Sequence, residues 1–192
     1  MVVLAAATGA DGYDSRPVLD EAQWNTLLAN LDRLAGIVAD RGLLAVLHPH
    51  VGTIVETRAE VDRVLGGSSI PLCLDTGHLL IGGTDPLELA KAVPQRIAHA
   101  HLKDVDAALA AKVQSGELSY TAAVKAGMYT PLGTGDVDIE AIVGVLRDNG
   151  FDGWFVMEQD TILDDEPTDE GPLRDVAASV TYMQNVCRSV TV

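Results

Sequence analysis

The feature that most restricts the fold of this 192-residue chain is a repeated alternation of two patterns. A short, continuous apolar run ends at a polar residue and is followed by a stretch with helical spacing. The runs at residues 2–7, 43–47, 70–74, 97–102 and 154–157 have the length of strands, and they are continuous rather than alternating, which suits a sheet covered on both faces. Between the first two, Leu27, Leu28, Leu31, Leu34, Ala35 and Val38 recur at three and four, so residues 19–40 read as an amphipathic helix closed by Gly42. Thr57 and Glu60 have capping-box spacing for a helix over 57–65, and Asp85-Pro86 opens another with proline in the first turn. Further helical stretches cover 107–114, 119–126, 138–148 and 173–188. Strands separated by helices of this length predict βαβ units, a parallel sheet and an α/β fold, in one domain over residues 1–192. The acidic stretch 164–170 reads as a solvated loop rather than a linker.

Charge then removes whole classes of function. The formal net charge is −15, with no basic cluster, which excludes the phosphate backbone of nucleic acid as a partner. The apolar start is too short to span a bilayer, so no membrane is expected. The two cysteines, Cys73 and Cys187, form no metal or redox motif, which fits a reducing cytoplasm; Cys73, next to a strand end, reads as buried and inert.

The polar residues fall in a telling place. His48-Pro49-His50 follows the second run, Asp75-Thr76-Gly77-His78 the third, and Glu158-Gln159-Asp160 the fifth. The fourth run carries His99 and His101 before Lys103-Asp104. All five histidines therefore lie at or just beyond the C-terminal ends of strands, the edge at which parallel α/β folds build ligand sites. Carboxylates with imidazoles suit a borderline divalent cation, and Asp75, His101 and Glu158 are the strongest set. His99 and His101 alternate on one strand and so share a face. Lys103 either steadies an oxygen of a ligand or pairs with Asp104; Gly133-Thr134-Gly135 lacks a neighbouring cation and reads as a plain turn; Trp154 reads as core.

The segments His48–Glu56, Leu74–His78, His99–Asp104 and Phe155–Glu158, in this order, resemble the later strands of the xylose-isomerase-like barrel superfamily of sugar isomerases, epimerases and dehydratases. Residues 119–135, with Ala126-Gly127-Met128-Tyr129-Thr130-Pro131, are closest to its inosose dehydratase branch. The resemblance implies a partial (β/α)8 barrel of about five parallel strands, equivalent to strands four to eight, with outer helices. It implies that strands one to three, about a hundred residues of a typical barrel of about 250, are missing, leaving open edges through which copies can associate.

The resemblance also implies one divalent metal, Mn2+ or Co2+ ahead of Zn2+ or Mg2+, held by Glu56, Asp75, His101 and Glu158, with His48 or His50 competing with Glu56. The implied substrate is a small polyhydroxylated molecule, and the implied reaction is dehydration of a keto-cyclitol of the 2-keto-myo-inositol kind. Glu56 and Glu158 are then candidate bases, and His78 or His50 the acid. Lys103 holds the enolate oxygen, and His48, His50 and Lys103 touch substrate. A sugar or sugar-phosphate isomerase or epimerase would use the same ligands, although no basic phosphate site is apparent. A barrel fragment that only binds a partner is the reading from a different class.

Overall fold

Strand formation here is driven by one face of each run. Leu47, Leu72, Leu74, Ala100 and Leu102 all enter a single apolar core against the helices. A computed structural model describes residues 1–163, 165–166 and 170–189. Five strands, β1 (Val2–Leu4), β2 (Ala45–Leu47), β3 (Leu72–Asp75), β4 (Ile97–Leu102) and β7 (Phe155–Met157), form one sheet in chain order, and every pairing is parallel. The helices between them are α1 (Glu21–Ala39), α2 (Arg58–Gly67), α3 (Thr76–Ile81), α4 (Pro86–Ala92), α5 (Ala107–Gln114), α6 (Tyr120–Lys125) and α7 (Ile139–Asp148), and α8 (Gly171–Ser189) follows β7. The parallel sheet is the one that the alternation of patterns predicts, and its form, the wall of a half-barrel with helices outside, is the one that the resemblance implies.

Helix ends follow local chemistry. Asp20 and Gln23 form a capping box on α1, Thr57 and Glu60 one on α2, and Asp85 caps α4 ahead of Pro86. Buried residues of α2 (Val61, Val64), α4 (Leu89, Ala90), α7 (Ile139, Ile142, Val143, Leu146) and α8 (Met183, Val186) pack on the sheet. Leu102, fully buried, is central to this layer. Leu102→Ala is expected to lower unfolding free energy by about 2–5 kcal/mol in urea titrations. Val18→Ala, at a position 96% exposed, should change it by less than about 0.5 kcal/mol.

The other face of the sheet is polar, which continuous apolar runs alone do not foretell. In register, Cys73 stands opposite His99, Asp75 opposite His101, and His101 opposite Val156. Since alternate residues share a face, Cys73, Asp75, His99 and His101 all point away from the helix-packed core.

Two features have no counterpart in the sequence reading. Helix α3 begins directly at the end of β3, because the Asp75 carboxylate caps it by accepting from Gly77 N and His78 N. A two-stranded antiparallel ribbon, β5 (Asp104–Val105) with β6 (Tyr129–Thr130), anchors a second apolar cluster of Val51, Ile81, Val105, Tyr120, Ala123, Val124, Met128 and Tyr129.

Two expectations need correction. Trp154 is 74% exposed, because it flanks β7, whose outer edge pairs with no strand among the described residues. Lys103 does not pair with Asp104: neighbours in extended chain point to opposite faces. Instead, the turn around Gly133-Thr134-Gly135 wraps the Asp104 carboxylate. Oδ2 accepts from Gly133 N (2.8 Å) and Gly135 N (3.0 Å), and Oδ1 from Val105 N and Val137 N (both 3.0 Å). A Cβ on Gly135 would lie 2.4 Å from Asp104 Oδ1, so the turn closes only around glycine. Asp164, Pro167, Thr168 and Asp169, the greater part of the acidic stretch, lie outside the described residues. No helix among the described residues is long and apolar enough to cross a membrane.

Candidate metal and substrate site

The site grows from the C-terminal ends of β2, β3, β4 and β7. Asp-Thr-Gly-His at the end of β3 is physically legible residue by residue. Asp75 is fully buried; its Oδ1 caps α3, and its Oδ2 faces the polar cluster, 3.0 Å from His48 Nε2 and 2.9 Å from Lys103 Nζ. Thr76 Oγ1 donates to Lys103 O (2.6 Å) and accepts from Lys103 N (2.8 Å), clamping the ends of β3 and β4 together. Gly77 leaves room for Lys103 and Tyr129, since a Cβ there would come within 2.7 Å of Lys103 Cβ and 2.8 Å of the Tyr129 ring. His78 then turns inward and is buried.

Asp75, His101 and Glu158 each offer a ligand atom, and these atoms lie within 4.8 Å of one another. His101 Nδ1 lies within ion-pair reach of Glu158 Oε2 (3.1 Å) and Asp75 Oδ2 (3.6 Å), but is aligned for a hydrogen bond with neither. A buried imidazole nitrogen left unsatisfied between two carboxylates fits a cation held there, and two oxygens with one nitrogen fit a borderline divalent ion. Lys103 Nζ contacts both Asp75 and Glu158, so an ammonium shares the carboxylates that a metal would use.

These contacts fix the charges. Burial pushes Asp75 up, but His78, His101, His48 and Lys103 together hold its carboxyl well below the usual range. Glu158 is likewise lifted by burial, yet His101 and Lys103 draw it down to about 2. Burial disfavours the His101 imidazolium, but contacts with Asp75, Cys73 and Glu158 push it up to about 11. Lys103, against the same burial, is held above its ordinary value by Asp75 and Glu158. In contrast, burial takes His78 well below and His50 below the ordinary histidine value, so both are neutral at pH 7.

The three candidates for the remaining ligand, Glu56, His48 and His50, separate. Glu56 does not join the cluster: its Oε2 accepts from Gly52 N (2.7 Å) and pairs with Arg16 Nε (3.1 Å). His48 is the residue beside Asp75, and His48, Asp75 and His78 form a further group of mutually close ligand atoms. His50 lies over His78 with ring centroids 3.5 Å apart, and its Nδ1 is 2.6 Å from Val51 O, which fixes that nitrogen as the donor and leaves the Nε2 lone pair free.

Sequence reasoning missed the tyrosines. Tyr129 Oη lies 3.3 Å from His78 Nδ1 and 3.0 Å from Tyr120 Oη, which reaches Asp160 Oδ2 at 3.4 Å. Tyr13, on the loop after β1, stacks on His50 at 5.0 Å. Their signal is weak in sequence because nothing local ties residues 13, 120 and 129 to one wall.

Fold and site together define a half-barrel of parallel strands whose C-terminal edge gathers carboxylates and imidazoles. The chain matches the xylose isomerase-like TIM barrel family over residues 1–181 and belongs to it. An inosose dehydratase from Geobacillus thermodenitrificans is 34% identical over 178 residues, covering 91% of this chain and 58% of that protein. Among solved structures, the IOLI protein with a bound zinc atom superposes with a TM-score of 0.64 at 15% identity, covering 96% of this chain and 62% of that one. A 3-keto-D-glucoside 4-epimerase from E. coli superposes with a TM-score of 0.63 at 16% identity, covering 95% and 63%. The chain thus spans little more than half the length of the curated relative it matches.

Proposed function

We propose that this chain carries the catalytic metal site of a lyase that dehydrates a keto-cyclitol of the 2-keto-myo-inositol type. The observation that carries this reading is the convergence of Asp75, His101 and Glu158 on one point, in a chain 34% identical to an inosose dehydratase. Mn2+ or Co2+ suits the mixed oxygen and nitrogen donors best, with His48 rather than Glu56 as the adjacent fourth group.

A divalent cation there supplies Lewis acidity to a carbonyl and its neighbouring hydroxyl, acidifying the adjacent C–H. The chain's own residues do the rest. Lys103 presents positive charge to the oxygen that becomes anionic as the C–H proton leaves. Glu158, ion-paired with Lys103, serves better as a holder than as a base, and Glu56, paired with Arg16, stands outside the cluster. The stacked pair His50 and His78 is neutral, and Nε2 of His50 has its lone pair free, so this pair takes the proton and returns it to the departing hydroxyl on the same face. The buried wall of Tyr120, Tyr129 and His78 keeps water from that side. The two cysteines, neither in a disulfide, suit a reducing cytoplasm. Self-association through the outer edges of β1 and β7 belongs to the same proposal.

The test is turnover of 2-keto-myo-inositol by the metal-loaded chain, with sizing of the active species. Growth of ultraviolet absorbance from a conjugated enol is expected, falling by at least about 100-fold in Glu158→Gln. An epimeric product without that absorbance would replace dehydration by epimerisation. Metal binding without any turnover would overturn the catalytic reading in favour of a binding module.

A further inference from the structure

Beneath the rim carboxylates, the polar face holds a thiol, Cys73, that the proposed reaction does not use and that completes a second donor set with His48 and His101. Cys73 precedes Asp75 by two residues on β3, so its side chain shares the same face one layer deeper. A ligand atom from each of His48, Cys73 and His101 lies within 4.8 Å of the others. Cys73 is fully buried and His48 is 8% exposed. Opposite Cys73 in register stands His99, itself 7% exposed, with Nδ1 lacking any hydrogen-bond partner and its ring 5.2 Å from that of His101. The floor of a barrel is ordinarily filled by branched apolar side chains. Here it carries a thiol and imidazoles, two of them with a ring nitrogen that lacks a hydrogen-bond partner.

We propose that Cys73, His48 and His101 form a second cation site, which overlaps the rim set at His101, reaches one layer deeper through Cys73, and is selective for thiophilic divalent ions such as Zn2+ or Cd2+. The two sets differ in ligand softness. The rim offers two carboxylates and an imidazole, whereas the deeper set offers sulfur and two imidazoles, the donors that soft ions prefer. Binding exchanges the S–H proton of Cys73, and the ring proton that His101 carries beside its two carboxylates, for bonds to the metal and releases both protons to solvent, with no change of oxidation state. His101 belongs to both sets, and a neutral imidazole has one lone pair to give. An ion in the deeper site therefore withdraws His101 from the rim, and a thiophilic metal displaces Mn2+ instead of adding to it.

The experiment is a titration of the metal-free chain with Co2+ and with Cd2+, following the near-ultraviolet thiolate-to-metal charge-transfer band. The band is expected to saturate at one ion per chain, to persist in Glu158→Gln, and to vanish in Cys73→Ser that circular dichroism shows to be folded. Should Cys73→Ser not fold, Cys187→Ser decides, because it leaves Cys73 as the sole cysteine and must keep the band. Zn2+ added to the Mn2+-loaded chain is expected to release Mn2+. No band in the wild type, or a band lost in Cys187→Ser, would overturn the deeper site. Zn2+ binding that leaves Mn2+ in place would overturn the sharing of His101. Mn2+ retention without any band leaves the rim site standing, whereas a band without Mn2+ binding counts against the rim site alone.

Discussion

Asp75→Ala is expected to abolish binding of Mn2+ and Co2+ at the rim and to cost the metal-free chain about 4 kcal/mol of stability. Both effects follow from one fully buried carboxylate with two jobs. Oδ1 caps α3, a contribution of about 1 kcal/mol, while Oδ2 faces His48 and Lys103. Lys103 is 2% exposed, and removing one partner of a buried ion pair costs about 3–5 kcal/mol, because the remaining charge is left poorly compensated. Glu158 stays in contact with Lys103 and offsets part of that cost. Asp75→Asn separates the two jobs. Its amide oxygen still accepts from Gly77 N and His78 N, so the cap survives, while the charge and the metal are lost. Urea unfolding with metal analysis of the same samples checks both. Retention of stoichiometric Mn2+ in Asp75→Ala would show that the rim set is not the site.

Asp104→Ala should produce a loss of similar size, on the order of 4 kcal/mol, with no direct effect on the rim ligands. The carboxylate is fully buried and satisfies four backbone N–H groups, from Val105, Gly133, Gly135 and Val137. Each orphaned buried donor costs about 1–3 kcal/mol, and partial relaxation of the turn recovers some of the sum. Asp104→Asn keeps one good acceptor and should lose roughly half as much. Hydrogen exchange resolves the origin: the Gly133, Gly135 and Val137 amides should lose protection first. Unchanged protection there would mean that the turn stands without its internal anion. This turn has the glycines and converging amides of an anion cradle, and the chain fills it with its own carboxylate.

How much of the site was legible depended on whether a residue's partner was set by the strand or by distant chain. Asp75, His101 and Glu158 were readable because each follows an apolar run, and parallel strands in chain order bring their C-terminal ends to one edge. That His99 and His101 share a face was also readable, because alternation on a strand requires it. Glu56 was not, because its fate is decided by Arg16, forty residues earlier in the chain, on a loop whose course no local pattern gives. Asp104 was misjudged for a related reason. It is next to Lys103 in sequence, but a strand sends the two side chains to opposite faces, where each meets partners from elsewhere.

Sequence by itself determined the alternation of strands and helices, the capping of α2 and α4, the edge of the sheet on which chemistry gathers, and three of the residues that gather there. These follow from periodicity and from hydrogen bonds that close within a few residues. Tertiary structure alone decided which face of β3 and β4 turns from the helices, and that His48 rather than Glu56 stands beside Asp75. It also decided that His50 lies over His78 against a wall built from Tyr120 and Tyr129. Those outcomes depend on side chains far apart in the chain competing for the same buried hydrogen bonds and charges, a competition settled only once the strands are in register.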